Sequence, residues 1–138
     1  MKVKINTHGG PLPTKHGELV DLYAGEDIHM KKDEFKIISL GVSMELPRGY
    51  YAQIVPRSST CKNHGIFMAN SIGIIENNYC GDDDIWGFPA VAIRDTEIKK
   101  GTRICQFRLV QKEVEVEFEQ VECLRNVNRG GFGSTGYE

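Results

Sequence analysis

The sequence predicts an all-β fold, a β-sandwich, jelly roll or barrel, with one short helix and a flexible glycine-rich C-terminal tail. Apolar and polar residues alternate with period two far more often than with a helical period. Turn residues, chiefly glycine, proline and asparagine, separate the alternating segments. The last thirteen residues contain four glycines, a density that does not favour a packed strand. Many short strands with close turns are typical of sandwiches and barrels.

The predicted elements follow one another closely. We predict strands at residues 2–6, 35–40, 51–55, 103–110 and 113–118, and turns at residues 9–11, 47–49, 77–78 and 100–101. A short helix is predicted at residues 58–63, where serine side chains can cap its N-terminus. The chain has no internal repeat and no linker, so we expect one β-domain at residues 1–125 and a mobile C-terminal arm at residues 126–138.

Length and charge narrow the functional classes. A chain of 138 residues is the size of one domain. Its 17 basic and 19 acidic residues give a net charge of −2, which disfavours nucleic acid or an anionic membrane as a partner. No apolar run is long enough to span a bilayer, and the first residues alternate in charge instead of forming a signal-peptide core. We therefore expect a cytoplasmic protein.

The cysteines and histidines show no metal-binding spacing. Cys61, Cys80, Cys105 and Cys123 are widely separated, without a C-x-x-C pair, and the four histidines are not clustered. We expect reduced thiols, with Cys105 as a small core residue inside an apolar run.

Residues 70–82 carry the most suggestive pattern. Three β-branched isoleucines precede Asn77 and Asn78, which tolerate left-handed turn geometry, and an extended pattern resumes at Tyr79. We predict a tight β-hairpin with Glu76 at the edge of its turn and glycines on both flanks. A backbone wall beside an acid and a ring suits a flat, polar ligand, whereas the alternative is an ordinary surface hairpin.

Three further segments are candidates for an anion site. Arg57, Ser58 and Ser59 stand between a predicted strand and the predicted helix, where a helix dipole favours an anion. Asp21 is a lone acid among apolar residues and is expected to pair with an arginine. Gln106, within a predicted strand, is either a solvated side chain or an amide donor to a ligand.

The glycine-rich tail combines a ring, a cation and hydroxyl groups. Its glycines and the hydroxyls of Ser134 and Thr135 offer donors to phosphates, Arg129 offers charge, and Phe132 offers a ring that can stack on a base. A disordered tail is the alternative interpretation.

Taken together, five segments resemble the five motifs of the trimeric dUTPase family, in order and at suitable separations. They are V-D-L-Y-A (20–24), P-R-S-S (56–59), G-I-I-E-N-N-Y-C-G-D (73–82), G-T-R-I-C-Q-F (101–107) and R-G-G-F-G-S-T-G (129–136). The resemblance implies a jelly-roll-like β fold and a homotrimer with sites between subunits. It also implies magnesium-dependent hydrolysis of dUTP to dUMP and pyrophosphate.

The same resemblance implies a role for each candidate residue. Asn70 and the backbone of the hairpin, including Gly73 and Ile75, would bind uracil, and Tyr79 would lie against the deoxyribose. Glu76 would be the general base. The phosphates would be bound by Arg57, Ser58, Ser59 and Gln106, with Asp21 in support. In the tail, Arg129, Gly133, Ser134 and Thr135 would close over the γ-phosphate end, and Phe132 would cover the base.

No direct protein ligand for magnesium is expected, because this ion is held mainly by phosphate oxygens and water. The three consecutive acids at residues 82–84 are interpreted as a solvated surface run.

Two departures from the family pattern bear on activity. The family usually has aspartate at the position of Glu76, and the extra methylene moves the carboxylate by about a bond length, where misplacement by about 1 Å can cost roughly a hundredfold in rate. The tail is also shorter between Arg129 and the glycines than the commoner pattern. A non-catalytic nucleotide-responsive binding protein is therefore one alternative, and a dCTP deaminase relative is a weaker one.

Overall fold

The computed structural model describes residues 1–133, which contain twelve strands and one helix. The elements are β1 (Lys4–Asn6), β2 (Thr14–Lys15), β3 (Val20–Tyr23), β4 (Ile28–Met30), β5 (Phe35–Ser39), β6 (Ser43–Glu45), β7 (Tyr50–Pro56), α1 (Thr60–His64), β8 (Ile66–Met68), β9 (Gly73–Ile75), β10 (Gly87–Ala92), β11 (Thr96–Ile98) and β12 (Arg103–Gln111). The prediction of an all-β chain with one short helix is confirmed.

The strands form four antiparallel sheets. The largest has the order β2-β3-β12-β7-β9, the second has the order β5-β10-β8, and two pairs, β1-β6 and β11-β4, complete the set. Within the largest sheet, β7 pairs with β12 along its whole length and with β9 through residues 52–54. Most neighbouring strands are distant in sequence, so the fold depends on long-range pairing.

The core lies between these sheets and follows the alternation of burial along the strands. Phe88, Ala90 and Ala92 point inward from β10, while the residues between them are only half-buried. Trp86 is completely buried and packs edge-on against Phe107, with ring centroids 5.2 Å apart at 85°. The alternation explains why one face of each strand excludes water.

The predicted strands with strong alternation were found close to their predicted bounds. The segments predicted at residues 35–40, 51–55 and 103–110 correspond to β5, β7 and β12, and the segment predicted at 2–6 forms a shorter β1. The helix predicted at residues 58–63 begins later, at Thr60, and ends at His64; Gly65 follows it with a left-handed φ of 66°, which favours glycine.

The strand predicted at residues 113–118 is wrong for the single chain. After Gln111, none of the described residues belongs to a strand or helix. Val114, Val116 and Phe118 are exposed by 79, 66 and 91 %. Alternation alone does not make a strand, because its backbone groups need a partner edge, and this segment pairs with no strand among residues 1–133.

The predicted hairpin at residues 70–82 is also wrong. Gly73–Ile75 pairs with β7 instead of with the segment after the turn. A turn does follow, closed by the Tyr79 N–H donating to the Glu76 carbonyl at 3.1 Å. Neither Asn77 nor Asn78 has a positive φ, so neither asparagine serves there as a left-handed turn residue.

Gly25 gives a test of the packing between the loops that follow β3 and β5. A Cβ at Gly25 would come within 2.6 Å of the Gly41 backbone nitrogen, whereas one at Gly49 would touch nothing within 4 Å. We expect Gly25→Ala to lower the free energy of unfolding by about 3 kcal/mol, because backbone cannot yield as a side chain does. Gly49→Ala, which carries only the cost of a left-handed residue, should lose about 1 kcal/mol.

Urea unfolding of both variants at one protein concentration measures the difference. Equal losses in the two variants would contradict the close approach of the two loops.

Candidate active site

A buried carboxylate organises the first cluster of polar residues. Asp21 is only 3 % exposed, and its two carboxylate oxygens lie 3.5 Å from Nε of Arg57 and 3.5 Å from a terminal nitrogen of Arg103. The expected pairing of Asp21 with an arginine is confirmed. Both guanidinium groups remain partly exposed, so two positive charges share one negative charge at the surface. The cluster is therefore suited to an anion.

Thr60 fixes the backbone beneath this cluster. Its buried hydroxyl accepts a hydrogen bond from the Arg57 N–H at 2.8 Å and donates one to the Ile104 carbonyl at 2.7 Å. The segment that carries Arg57 is thereby fastened to β12, which carries Arg103. Gln106 lies on the same strand, and its amide is 3.4 Å from the Pro56 carbonyl.

The electrostatics of this corner come from arginines more than from the helix. The helix has only five residues, and Ser59 caps it without a side-chain hydrogen bond, while Ser58 is exposed. The pKa of His64 is lowered, first by burial and then by the positive charges of Arg57 and Arg94. The positive charges of Arg57 and Arg94 thus both favour the neutral form of His64, as expected for a corner that carries positive charge.

The second cluster lies at the free edge of β9. This strand is the last of its sheet, so along the edge turned away from β7 its backbone donors and acceptors have no partner strand among residues 1–133. A cavity of about 370 Å³ borders it, with Ile74, Glu76, Tyr79 and Ile85 among its lining residues. The Tyr79 hydroxyl donates to the Ile85 carbonyl at 3.3 Å, which holds the ring across the cavity. Backbone edge, ring and acid are therefore adjacent, as the sequence indicated.

Gly73 has a packing role in addition to any contact with a ligand. A Cβ there would come within 3.2 Å of the Cβ of Ile54 and of the terminal methyl of Met68. Asn70 is exposed in the loop just before β9, and Ile75 is half-buried within it. The glycine therefore lets β9 lie directly on the core.

Glu76 stands between two cavities. Besides the cavity at the β9 edge, it lines a groove of about 560 Å³ together with Arg48, Tyr51 and Lys112. Its side chain is exposed and has no hydrogen-bond or ion-pair partner among residues 1–133. An unpaired, accessible carboxylate is available to accept a proton from a bound water.

The two clusters are at opposite ends of β7. The register pairs Ala52 with Ile75, so Glu76 lies beside Tyr51, whereas Arg57 directly follows the last residue of the strand. At about 3.3 Å per residue, Tyr51 and Arg57 are about 20 Å apart. One chain therefore does not bring the predicted general base to its own predicted phosphate site.

The described tail residues, 126–133, do not join either cluster. Arg129, Phe132 and Gly133 are exposed, and Phe132 is as open as in an extended peptide. Ser134 and Thr135 lie outside the described residues, so their predicted contacts are not described. The boundary predicted at residue 126 stays a prediction.

Residues 1–133 contain four free cysteines and no cluster of side chains arranged to hold a metal ion. Within residues 1–133, no group of three His, Cys, Asp or Glu side chains is arranged to hold a metal ion. Over the same residues, no helix is long and apolar enough to cross a membrane. All four cysteines are free, as expected, and burial is the main cause that raises the pKa of the Cys105 thiol.

Sequence reasoning missed two residues of the site. Arg103 was passed over inside the segment 101–107, although an arginine in a strand beside a buried aspartate is the expected partner. Asn77 was assigned to turn geometry, but its side-chain amide donates to carbonyl oxygens of the loop at residues 46–50. Neither partner is near in sequence, so the local pattern carried little signal.

Comparison with known proteins decides the family. The family model described as dUTPase matches residues 19–136. The chain is 57 % identical over 122 residues to the SPbeta prophage-derived deoxyuridine 5'-triphosphate nucleotidohydrolase YosS of Bacillus subtilis, covering 88 % of this chain and 86 % of that protein. This chain belongs to the dUTPase family. A deoxyuridine 5'-triphosphate nucleotidohydrolase of Finegoldia magna is 41 % identical, covering 99 % of this chain and all of that protein.

Solved structures support the dUTPase fold. A variant of the Staphylococcus bacteriophage 80alpha dUTPase superposes with a TM-score of 0.80 at 19 % identity, covering 97 % of this chain and 98 % of that one. The dUTPase of Streptococcus mutans gives 0.73 at 18 % identity, covering 85 % of this chain and all of that one. The predicted jelly-roll-like dUTPase fold is confirmed.

The hydroxyl of Thr60 offers a test of how the anion cluster is held. We expect Thr60→Val to lower the free energy of unfolding by about 2–6 kcal/mol, because the Arg57 N–H and the Ile104 carbonyl both lose a partner, at about 1–3 kcal/mol each when buried. Thr60→Ser keeps the hydroxyl and should lose only about 1 kcal/mol, the value of one methyl group.

Urea unfolding measures both variants. If Thr60→Ser were as unstable as Thr60→Val, the methyl group and not the hydroxyl would account for the effect.

Proposed function

We propose that this member of the dUTPase family hydrolyses dUTP to dUMP and pyrophosphate with magnesium, by attack of a water molecule that Glu76 activates. The observation that carries the proposal is the carboxylate of Glu76, which has no partner among residues 1–133 and lies at the end of β9, beside an open backbone edge and Tyr79. Relatives at 57 % and 41 % identity bear the name deoxyuridine 5'-triphosphate nucleotidohydrolase, which supports the reaction type.

The nucleoside would bind along the free edge of β9. Uracil presents donors and acceptors on one edge of a flat ring, and an unpaired strand edge has the complementary groups. Cytosine would leave mismatched polar groups buried, a cause of large discrimination factors. The ring of Tyr79, held by the Ile85 carbonyl, would lie against the deoxyribose and oppose a 2′-hydroxyl. Asn70 and the backbone of Gly73 and Ile75 complete this proposed subsite.

The triphosphate would bind at the arginine cluster. Arg57 and Arg103 together exceed the charge of Asp21 by one positive unit, and Thr60 fixes their backbone in advance. Ser58, Ser59 and Gln106 would add neutral donors. The single carboxylate of this cluster is already paired with two guanidinium groups, so the residues fit magnesium carried by phosphate oxygens and water. The ion would neutralise charge on the leaving pyrophosphate.

Glu76 and the arginine cluster would meet only between copies of the chain. A general base acts within hydrogen-bond reach, or through one water, and about 20 Å of strand β7 separates the two clusters in one chain. A second copy that brings its arginine cluster to the β9 edge would complete the site. The homotrimer implied by the family resemblance supplies this arrangement.

Two exposed apolar surfaces support association. Phe35 and Ile37 on β5 and Phe67 on β8 are exposed by 57, 61 and 43 % and lie across Pro89 and Val91 of β10 on one face. The second surface is the extended segment after Gln111, whose valines and Phe118 alternate with glutamates. Both surfaces would become buried against neighbouring copies.

The C-terminal arm would close over the bound nucleotide. Arg129, Ser134 and Thr135 would contact the γ-phosphate end, Phe132 would cover the base, and the backbone of Gly133 would approach the phosphates. Closure would exclude bulk water from the reacting phosphate. The exposed Phe132 ring supports this proposal, because a ring in solvent gains from covering a base.

A substrate panel tests the proposed reaction. With magnesium, we expect kcat/KM for pyrophosphate release from dUTP to exceed that for dCTP, dTTP and UTP by at least about a hundredfold. Glu76→Gln should abolish turnover and leave binding of a non-hydrolysable dUTP analogue within about threefold, because it removes the base and keeps the shape. If the wild-type protein bound the dUTP analogue but did not hydrolyse dUTP, it would instead be a nucleotide-binding protein.

Subunit mixing tests whether the site is shared. Glu76→Gln and Arg57→Gln should each be inactive alone. Coexpressed in equal amounts, they should recover about a quarter of wild-type activity, because random assembly joins an intact Glu76 to another copy's intact Arg57 in about one site of four. A mixture as inactive as its parents would place both residues in a site within one chain. The matched control coexpresses two copies of the Glu76→Gln variant that carry different affinity tags.

A further inference from the structure

We propose that Asn77 is a positioning residue that fixes the general base Glu76, an inference that rests on the proposed function. Its side-chain amide donates hydrogen bonds to the carbonyl oxygens of Pro47 at 2.9 Å and Tyr50 at 3.0 Å. The Leu46 carbonyl lies farther away, at 3.4 Å. An amide group has two hydrogens, so the two shorter bonds use both, and the third contact is at most a shared one.

The bonds of Asn77 join two turns that are distant in sequence. One is the turn of residues 76–79, closed by the Tyr79 N–H and the Glu76 carbonyl. The other is the turn of residues 47–50, closed by the Tyr50 N–H and the Pro47 carbonyl at 3.1 Å. The second turn is itself fastened to the end of β12, since the Lys112 N–H donates to the Gly49 carbonyl at 2.8 Å. Glu76 is thus linked through Asn77 and the turn of residues 47–50 to the end of β12 in the largest sheet.

Without Asn77, few contacts would hold the turn of residues 76–79 that follows β9. Strand β9 ends at Ile75, and the turn that follows is exposed. Beyond the ladder with β7, residues 76–78 are held among the described residues by the single backbone bond from Tyr79 and by the amide of Asn77. Loss of the amide would let the turn move relative to the sheet.

Movement of the turn would affect rate more than binding. Misplacing a reacting group by about 1 Å can cost roughly a hundredfold in rate. The uracil ring, by contrast, would be bound by the backbone of β9, which the ladder with β7 holds independently of the turn. The role assigned to Asn77 is therefore distinct from a general contribution to stability.

Kinetics of Asn77→Ala and Asn77→Asp test the inference. Each variant removes the amide donors, and aspartate preserves the shape of the side chain. We expect kcat for dUTP to fall at least about tenfold in both, while the dissociation constant of a non-hydrolysable dUTP analogue changes by less than about threefold. Asn6→Ala is the matched control, because the exposed Asn6 amide also joins two distant segments, through Asp82 at 2.9 Å. It should keep wild-type kcat.

Each other outcome overturns a specific claim. Wild-type kcat in either Asn77 variant would remove the positioning role. Equal loss of kcat and of analogue binding, with a lowered melting temperature, would show a structural role only. If the wild-type protein itself failed to hydrolyse dUTP, the proposed function would fail first, and the two failures are thereby distinguished.

Discussion

The double pairing of β7 is the constraint on which the rest of the structure depends. This strand lies between β12 and β9, with Ala52 and Ile54 buried on one face. A slip of one residue would turn those side chains to solvent, so the register is strongly specified. The same register fixes Glu76 beside one end of the strand and Arg57 just beyond the other. Within one chain, a rigid strand thus separates Glu76 from Arg57, so the proposed reaction would require a second copy of the chain.

The buried carboxylate of Asp21 is a second constraint, because it fixes the arginine cluster. A carboxylate that is 3 % exposed is costly unless it is paired, and it has two guanidinium partners. Neither guanidinium group is fully buried, so both remain accessible to an anionic ligand. Thr60 adds no charge but uses both its donor and its acceptor on backbone groups of neighbouring segments. The cluster is therefore arranged before an anion arrives, and little reorganisation is required on binding.

The sequence predicted those features that depend on local pattern. Strands β7 and β12 were found because half-buried strands alternate, and Asp21 was expected to pair because an isolated buried acid needs a partner. The partner of β9 could not be predicted, since the paired residues of β7 are about twenty positions away along the chain. Residues 113–118 show the converse, because they have the pattern of a strand without an edge to join. The turn propensity of Asn77 accounted for its position in the sequence, so its hydrogen bonds to carbonyl oxygens about thirty residues away could not be predicted.

The hydrogen bonds of the Asn77 amide are more important beside glutamate at position 76 than they would be beside an aspartate. The longer side chain has one more rotatable bond, so fixing its backbone leaves the carboxylate more freedom, and ordering it costs more conformational entropy. The carboxylate has no partner among the described residues that would restrict it further. The amide of Asn77 can remove movement of the turn but not rotation of the side chain. Under the proposed function, a bound water, the nucleotide and a neighbouring copy would order the carboxylate further, so positioning of the general base would be coupled to completion of the site.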